Sequence, residues 1–210
     1  MTYSSNAIEG NTLTLRETAE VIEHGITVGG KSLREHLEAV DHYQALLWMR
    51  DLAHQSTLID DGTVCELHRR LVARSQPEIA GIYSIYPHRI AGSATIFPNP
   101  VKIPYLMQEF GVWLKQAETT PATAFEAHWR LTAIHPFSDG NGRTARLLMN
   151  LVLIRGGYPP VAIRPIDRKD YLDTLEQASL TGDQFAYQLL MHQKLESTLT
   201  EYLALVHEAL

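Results

Sequence analysis

The sequence predicts a single, mainly α-helical domain with one short β-hairpin. Three observations carry that prediction. Apolar residues recur at helical spacing along most of the 210 residues, and helix-capping patterns punctuate the chain. A run with strand character occurs only between about residues 79 and 97. With 45% apolar residues the chain is long enough for one substantial core, so residues 1–210 form one domain, without repeats or linker-like stretches.

The elements follow in order. Ser4 and Ser5 cap a short opening helix that Gly10 ends. Thr14 with Glu17 makes a capping box for a second helix, in which Leu15, Ala19 and Ile22 share a face until Gly25 stops it. Ser32 with Glu35 opens a longer helix whose stripe is Leu33, Leu37, Val40 and Leu47. The Asp60-Asp61-Gly62 turn precedes a helix carrying Val64, Leu67 and Leu71. Gly81 to Tyr86 and Arg89 to Gly92, parted by Pro87-His88, read as the hairpin, closed by Pro98 and Pro100. A helix resumes near Ile103 and runs through Trp113. Thr120 and Pro121 open the next as N-cap and first-turn proline, and it ends in a loop at His135. The helix after that loop turns Leu147, Leu148, Leu151 and Val152 inward and stops at Gly156-Gly157 before Pro159-Pro160. Arg168 to Ala178 and Asp183 to about Ala209 supply the last helices.

Composition narrows the function. A formal net charge of −6 argues against a protein whose task is gripping a nucleic-acid backbone, which needs a basic surface. The single cysteine, Cys65, excludes an internal disulfide and a multi-thiolate metal site. No leader pattern follows Met1 and no apolar run reaches the length of a membrane span. A soluble cytoplasmic protein, with no nucleic-acid or membrane partner, is the expectation.

The richest segment is His135-Pro136-Phe137-Ser138-Asp139-Gly140-Asn141-Gly142-Arg143-Thr144-Ala145-Arg146. Gly140 and Gly142 let the backbone approach a ligand closely, so the amides of Gly140, Asn141 and Gly142 can face an anion at a helix N-terminus. Arg143 and Arg146 are three apart and emerge on one side of the following helix, within reach of successive phosphates. Asp139 offers a hard oxygen suited to Mg²⁺, or Mn²⁺, shared with a polyphosphate. His135 is placed to take a proton from an attacking hydroxyl. Each residue alone has a plainer reading as a cap, a turn former or a solvated charge; together they point to phosphate-ester chemistry on a nucleotide.

At every defined position this segment resembles the His-x-Phe-x-(Asp/Glu)-Gly-Asn-Gly-Arg-x-x-Arg signature of the Fic family (filamentation induced by cAMP). The resemblance continues through Leu147-Leu148-Met149-Asn150 and Gly156-Gly157-Tyr158-Pro159-Pro160. It implies a Fic-type helical fold and a protein adenylyltransferase that moves AMP from ATP to a Ser, Thr or Tyr hydroxyl of a target protein. By resemblance His135 is the base, Asp139 holds Mg²⁺, Asn141 with the loop amides binds the α-phosphate, and Arg143 and Arg146 hold the outer phosphates. Phe137 anchors the loop in the core. The hairpin, residues 79–97, becomes a flap whose Ile90, Ala91, Gly92 and Ser93 dock the target by strand addition, although Ser84 stands where the family often has Arg.

Ser5-Asn6-Ala7-Ile8-Glu9-Gly10 is similar to the (Ser/Thr)-x-x-x-Glu-(Gly/Asn) pattern of the inhibitory helix in self-restrained Fic proteins, which assigns residues 1–12 that role. Glu9 would pair with Arg146 and occupy the guanidinium needed by the γ-phosphate, with Ser5 and Gly10 completing the pattern. Tyr171 resembles a position lining the base, but Leu172 and Ser179 stand where the family often has a second aromatic and an Asn. Two alternatives to adenylyl transfer are hydrolysis of AMP from a modified protein with Glu9 activating water, and a binding module with a silent site. A homo-oligomer, including self-modification, stays open, as does the target's identity.

Overall fold

The computed structural model describes residues 1–89 and 92–208. Its architecture is set by α7 (Asn141–Arg155), which is buried along nearly its whole length. A helix that is apolar on most sides must be wrapped by others. Here α6 (Pro121–Ile134), α3 (Leu33–Ala53), α4 (Asp61–Leu71) and the short α1 (Thr2–Ile8) all pack on it. α5 (Ile103–Gln116) covers α4 and α6, while α8 (Arg168–Thr181) and α9 (Phe185–Glu208) form a pair that closes over α6. α2 (Leu15–His24) lies on α3 and α1, with Leu13, Val21 and Ala39 as a small separate cluster. No described helix is long and apolar enough to cross a membrane.

Local chemistry explains most helix boundaries. The capping boxes at Thr14–Glu17 and Ser32–Glu35 form as expected, each Ser or Thr oxygen accepting from the amide three residues on. Asp60 caps α4, and Thr120 followed by Pro121 opens α6. Each such cap is worth about 1 kcal/mol.

Three expectations need correction. Ser4 and Ser5 do not cap α1: they lie inside it, Met1 holds the N-cap without a side-chain bond, and the Ser5 hydroxyl serves a tertiary contact. The inward faces of α2 and α3 are also rotated from those expected. Leu15 and Leu33 are exposed, and Ala19, Ile22, Leu37, Val40 and Leu47 only partly covered. Thr18 and Val21 are buried instead on α2, and His36, Ala39, Asp41, His42, Ala45, Leu46 and Met49 on α3. Apolar periodicity misplaces these faces because their polar members are satisfied: Asp41 accepts from the amides of Arg74 and Ser75, and His42 bonds Thr2.

The hairpin is likewise not found among the described residues of 79–97, which carry no strand; Ile90 and Ala91 lie outside them. The amides here go elsewhere. Ser84 donates to the carbonyl of Pro136 at 2.8 Å, Tyr86 to the Ser84 hydroxyl, and Ala94 to Glu176. Pro87 has no amide to give. Bonds to the His135 loop and to α8 replace a ladder and drape the segment over one end of α7.

Candidate functional site

The site is built where α6 ends and α7 begins. His135 caps α6 with φ 52° and ψ 57°, and among the described residues it alone combines a side chain with positive φ. A non-glycine residue held there stores about 1–3 kcal/mol, a strain that cooperative packing must sustain. Phe137, two residues on, is fully buried and lies flat on the His68 ring, centroids 3.7 Å apart. Removing its ring would cost about 3–5 kcal/mol, so it anchors the loop as expected.

The His135 ring stacks on Phe97 at 4.0 Å, and its Nδ1 sits 3.4 Å from the carbonyl of Thr132. Burial lowers its pKa to about 4, against the opposing pull of that carbonyl and of Glu9 and Asp139. The ring is therefore neutral at physiological pH. With Nδ1 carrying the proton toward Thr132, the Nε2 lone pair is free to accept one.

Gly140, at φ 75°, makes the left-handed turn that starts α7, and the first-turn amides of α7 have no intrahelical acceptors. Gly142 needs to be glycine for a different reason: a Cβ there would stand 2.5 Å from Glu9 Oε1. The Asn141 side chain is a brace and not a ligand-facing group. Its Oδ1 accepts from the Phe137 amide and its Nδ2 donates to the Phe137 carbonyl, at 2.9 and 2.7 Å. Its backbone amide remains for an anion, as does the second Nδ2 hydrogen, although the side chain is buried.

Asp139 accepts from the Gly140 amide on Oδ1 and from Arg34 and Gln76 on Oδ2, at 2.6, 2.8 and 2.5 Å. Burial raises its pKa, but Arg143, Gln76, the Gly140 amide and Arg34 together outweigh this and hold it below the usual range. It stays a carboxylate. No cluster of three or more His, Cys, Asp or Glu able to hold a metal occurs among the described residues. One hard carboxylate beside a phosphate cradle suits Mg²⁺ completed by phosphate and water oxygens, provided the ion displaces the Arg34 and Gln76 donors.

The two arginines diverge. Arg143 is buried and turned toward α3, 3.6 Å from Glu38 and 3.3 Å from Asp139, with its Nε unpartnered. Glu38 also takes Arg34 and, from the segment after α1, Asn11. Arg143 therefore does not line the cleft, and outer-phosphate binding by it would require its side chain to turn. Arg146 is heavily engaged: Nε donates to the Ser5 hydroxyl at 3.0 Å, Nη2 to the Ser5 carbonyl at 2.9 Å and to Glu9 at 2.7 Å. Glu9 and Ser5 thus meet Arg146 across 137 and 141 positions of sequence. Arg168 secures the arrangement by donating to the Ile8 carbonyl at the end of α1, and Gly10 follows the Glu9 cap.

A cleft of about 350 Å³, ample for a nucleoside, opens beside these groups. Glu9, His135, Gly142, Arg146, Arg168 and Tyr171 supply its polar wall, and Leu172, Leu175 and Ser179 line it as well. Gly92 and Ser93 border it from the 79–97 segment, where the Ser93 hydroxyl and the Ala94 amide donate to Glu176 at 2.7 Å.

Tyr171 is both core and cleft. Its hydroxyl accepts from Arg146 Nη1 at 3.3 Å and meets His128 Nε2 at 2.8 Å; His128 Nδ1 meets the Tyr187 hydroxyl at 2.8 Å, which reaches the Phe125 carbonyl. A guanidinium only donates and a carbonyl only accepts. The direction is therefore forced: Tyr171 donates to His128, His128 to Tyr187, and Tyr187 to Phe125. Burial lowers His128 to about 3, with Arg146 adding to the effect, so the ring is neutral as this chain requires. Sequence reading missed His68, His128, Tyr187, Glu38, Arg34 and Gln76. The available signal was histidine within apolar helical stripes, as at His68 and His128.

Comparison with known proteins places this geometry. Residues 58–153 match the Fic/DOC family model. The chain is 41% identical over 209 residues to a protein named protein adenylyltransferase Fic from Nematostella vectensis, covering 96% of this chain and 48% of that one. A protein of the same name from Drosophila mojavensis is 38% identical over 205 residues, with 96% and 40% covered. The chain thus spans half or less of the length of these curated relatives. A solved structure of Fic-1 from C. elegans superposes with a TM-score of 0.91 at 32% identity, over 100% of this chain and 63% of that one. A Fic domain containing signaling protein from Bacteroides thetaiotaomicron gives 0.83 at 29% identity, with 95% and 83% covered.

Proposed function

The chain belongs to the Fic/DOC family, and on that premise we propose that it transfers AMP from ATP to a Ser, Thr or Tyr hydroxyl of a target protein, restrained in cis by Glu9. The carrying observation is that neutral His135, the α7 N-terminus and an Arg146 already claimed by Glu9 face one cleft. In the reaction the acceptor oxygen attacks the α-phosphorus, pyrophosphate leaves, and His135 Nε2 takes the hydroxyl proton. Mg²⁺, held by Asp139 with phosphate oxygens, would supply charge neutralisation. The first-turn amides of α7 would bind phosphate and Arg146, once released, its outer end. Tyr171 with Leu172 and Leu175 would flank the base. The segment around Gly92 and Ser93, whose polar groups now face Glu176, would meet the target. The cytoplasm, where ATP is abundant, is the compartment this reading assigns.

A second reading has one observation in its favour. Glu9 shares the cleft with His135, and its Oε2 makes no hydrogen bond among the described residues. It could orient water at a phosphodiester and remove AMP from a modified target. The direct test is incubation of the wild-type and Glu9→Gly proteins with labelled ATP, Mg²⁺ and cell lysate, with mass spectrometry of labelled proteins. An AMP adduct on a hydroxyl, formed with pyrophosphate release, supports adenylyl transfer; nucleotide binding with no turnover by either protein would leave a silent binding module.

A further inference from the structure

His68 lies in the last turn of α4, wholly buried, and is not among the residues of the cleft. Proton transfer and phosphate binding leave it no task. Both of its ring nitrogens are nevertheless engaged, each with a different functional segment. The Gly81 amide, at the root of the flap segment, donates to Nδ1 at 3.0 Å. An amide N–H only donates, so Nδ1 is the acceptor and the ring proton sits on Nε2. That Nε2–H points at the Asp139 carbonyl, 3.0 Å away. The ring face lies parallel to Phe137, at an interplanar angle of 2°, and a Cβ on Gly140 would stand 3.4 Å from Nε2.

One imidazole therefore fixes three things from a rigid helix: the loop anchor, the main chain of the carboxylate residue and the start of the flap. A second bond runs parallel, from the Ser84 amide to the Pro136 carbonyl, so flap root and loop are joined at two points. We propose that His68 is a positioning residue: its Nε2–H sets Asp139 for the metal–nucleotide and its Nδ1 ties that setting to the root of the flap. The proposal rests on the adenylyl-transfer reading of the site. It follows the general behaviour of groups behind a ligand, whose loss weakens metal affinity about 10–100-fold without touching the ion.

The two ring nitrogens can be separated by substitution. In His68→Gln the amide nitrogen reaches the former Nε2 position and keeps the bond to Asp139; in His68→Asn the shorter amide reaches only the Nδ1 position and keeps the bond from Gly81. Both are made in the full chain carrying Glu9→Gly, so that nucleotide enters freely. Mn²⁺ is titrated in the presence of a non-hydrolysable ATP analogue by electron paramagnetic resonance, alongside hydrogen exchange at residues 81–84 and thermal melts. His68→Asn is expected to weaken Mn²⁺ binding about 10–100-fold with flap-root exchange unchanged. His68→Gln should keep Mn²⁺ affinity within about threefold while exchange at Gly81 accelerates. Equal Mn²⁺ affinity in all three folded proteins overturns the proposal, and so does an equal loss in both variants, which would make His68 only a packing residue. Failure of the His68-containing parent to bind Mn²⁺ with nucleotide would instead overturn the adenylyl-transfer reading.

Discussion

Replacing Glu9 would separate the proposed restraint from the proposed chemistry. The Glu9–Arg146 contact is a charge-assisted hydrogen bond of 2.7 Å, a class worth about 1.5–3 kcal/mol when well shielded. Shielding here is one-sided: the Arg146 side chain is 6% exposed, whereas that of Glu9 is 40% exposed, so solvent screening lowers the figure to about 1–2 kcal/mol. ATP must break this contact to place its outer phosphate on Arg146, which predicts productive binding weakened by about 5–30-fold in the wild type. Arg146 keeps its bonds to Ser5 and Tyr171 after the change, so it stays oriented. Glu9→Gly should therefore raise kcat/KM for AMP transfer by that factor at subsaturating ATP, and Glu9→Gln, which keeps the reach but not the charge, should fall between. Rates are read as labelled AMP on a fixed acceptor over a range of ATP concentrations. The α1 segment should remain docked through buried Ile8, and the melting temperature should fall by no more than about 8 °C. Equal kcat/KM in all three proteins would refute the reasoning, because the contact would then not compete with ATP.

Three other outcomes follow from the same geometry. His135→Ala should lose about 10²–10⁴-fold in transfer while calorimetry still finds Mg·ATP binding in the Glu9→Gly background, since the imidazole acts on the acceptor; loss of binding would make the histidine structural. Wild type given a target pre-modified by the Glu9→Gly protein should release AMP, whereas Glu9→Gly itself should not, and a modification that persists would confine Glu9 to inhibition. Acid should destabilise the fold through two buried histidines and the half-buried His135, because burial lowers His68 and His135 to about 4 and His128 to about 3, from an ordinary value of 6.5. The folded chain refuses protons that the unfolded chain accepts, so their contribution is intact above pH 6.5 and is lost as pH falls toward 4. By about pH 5 each has lost about 2 kcal/mol, roughly 6 in all, out of a typical 5–15. The melting temperature should drop by about 12–24 °C from its value near neutrality, and a shift of a few degrees would show that these rings are protonated in the folded protein.

Local chemistry was legible wherever the cause was local. Capping boxes at Thr14 and Ser32, the Thr120 cap, the Gly25 stop and the inward run of α7 depend on neighbours within a turn, and each appears as read, while Asp60, read only as part of a turn, proves to be the cap of α4. The motif from His135 to Arg146 and the Ser5-to-Gly10 pattern with its candidate inhibitory Glu9 were visible as patterns of residue type. The faces of α2 and α3 were not, because Thr18, His36, Asp41 and His42 are buried on partners distant in sequence or on backbone groups that a polarity scale does not see. The segment 79–97 was read from its β-forming residues, yet its described amides bond to Pro136, Ser84 and Glu176, partners that outweigh propensity.

The sequence by itself determined a helical domain and named a candidate base, a candidate metal carboxylate, a candidate phosphate cradle and a candidate inhibitor. Tertiary structure alone decided which groups face the cleft. It turned Asn141 inward as a brace, aimed Arg143 at Glu38, and joined Arg146 to Ser5, Glu9 and Tyr171. It also recruited His68 and His128, which no motif names, as the rings that hold the loop and orient the arginine's partner. The physical reason is that a buried donor or acceptor must be satisfied, and its partner is whichever complementary group packing brings within about 3 Å, however far away it lies along the chain.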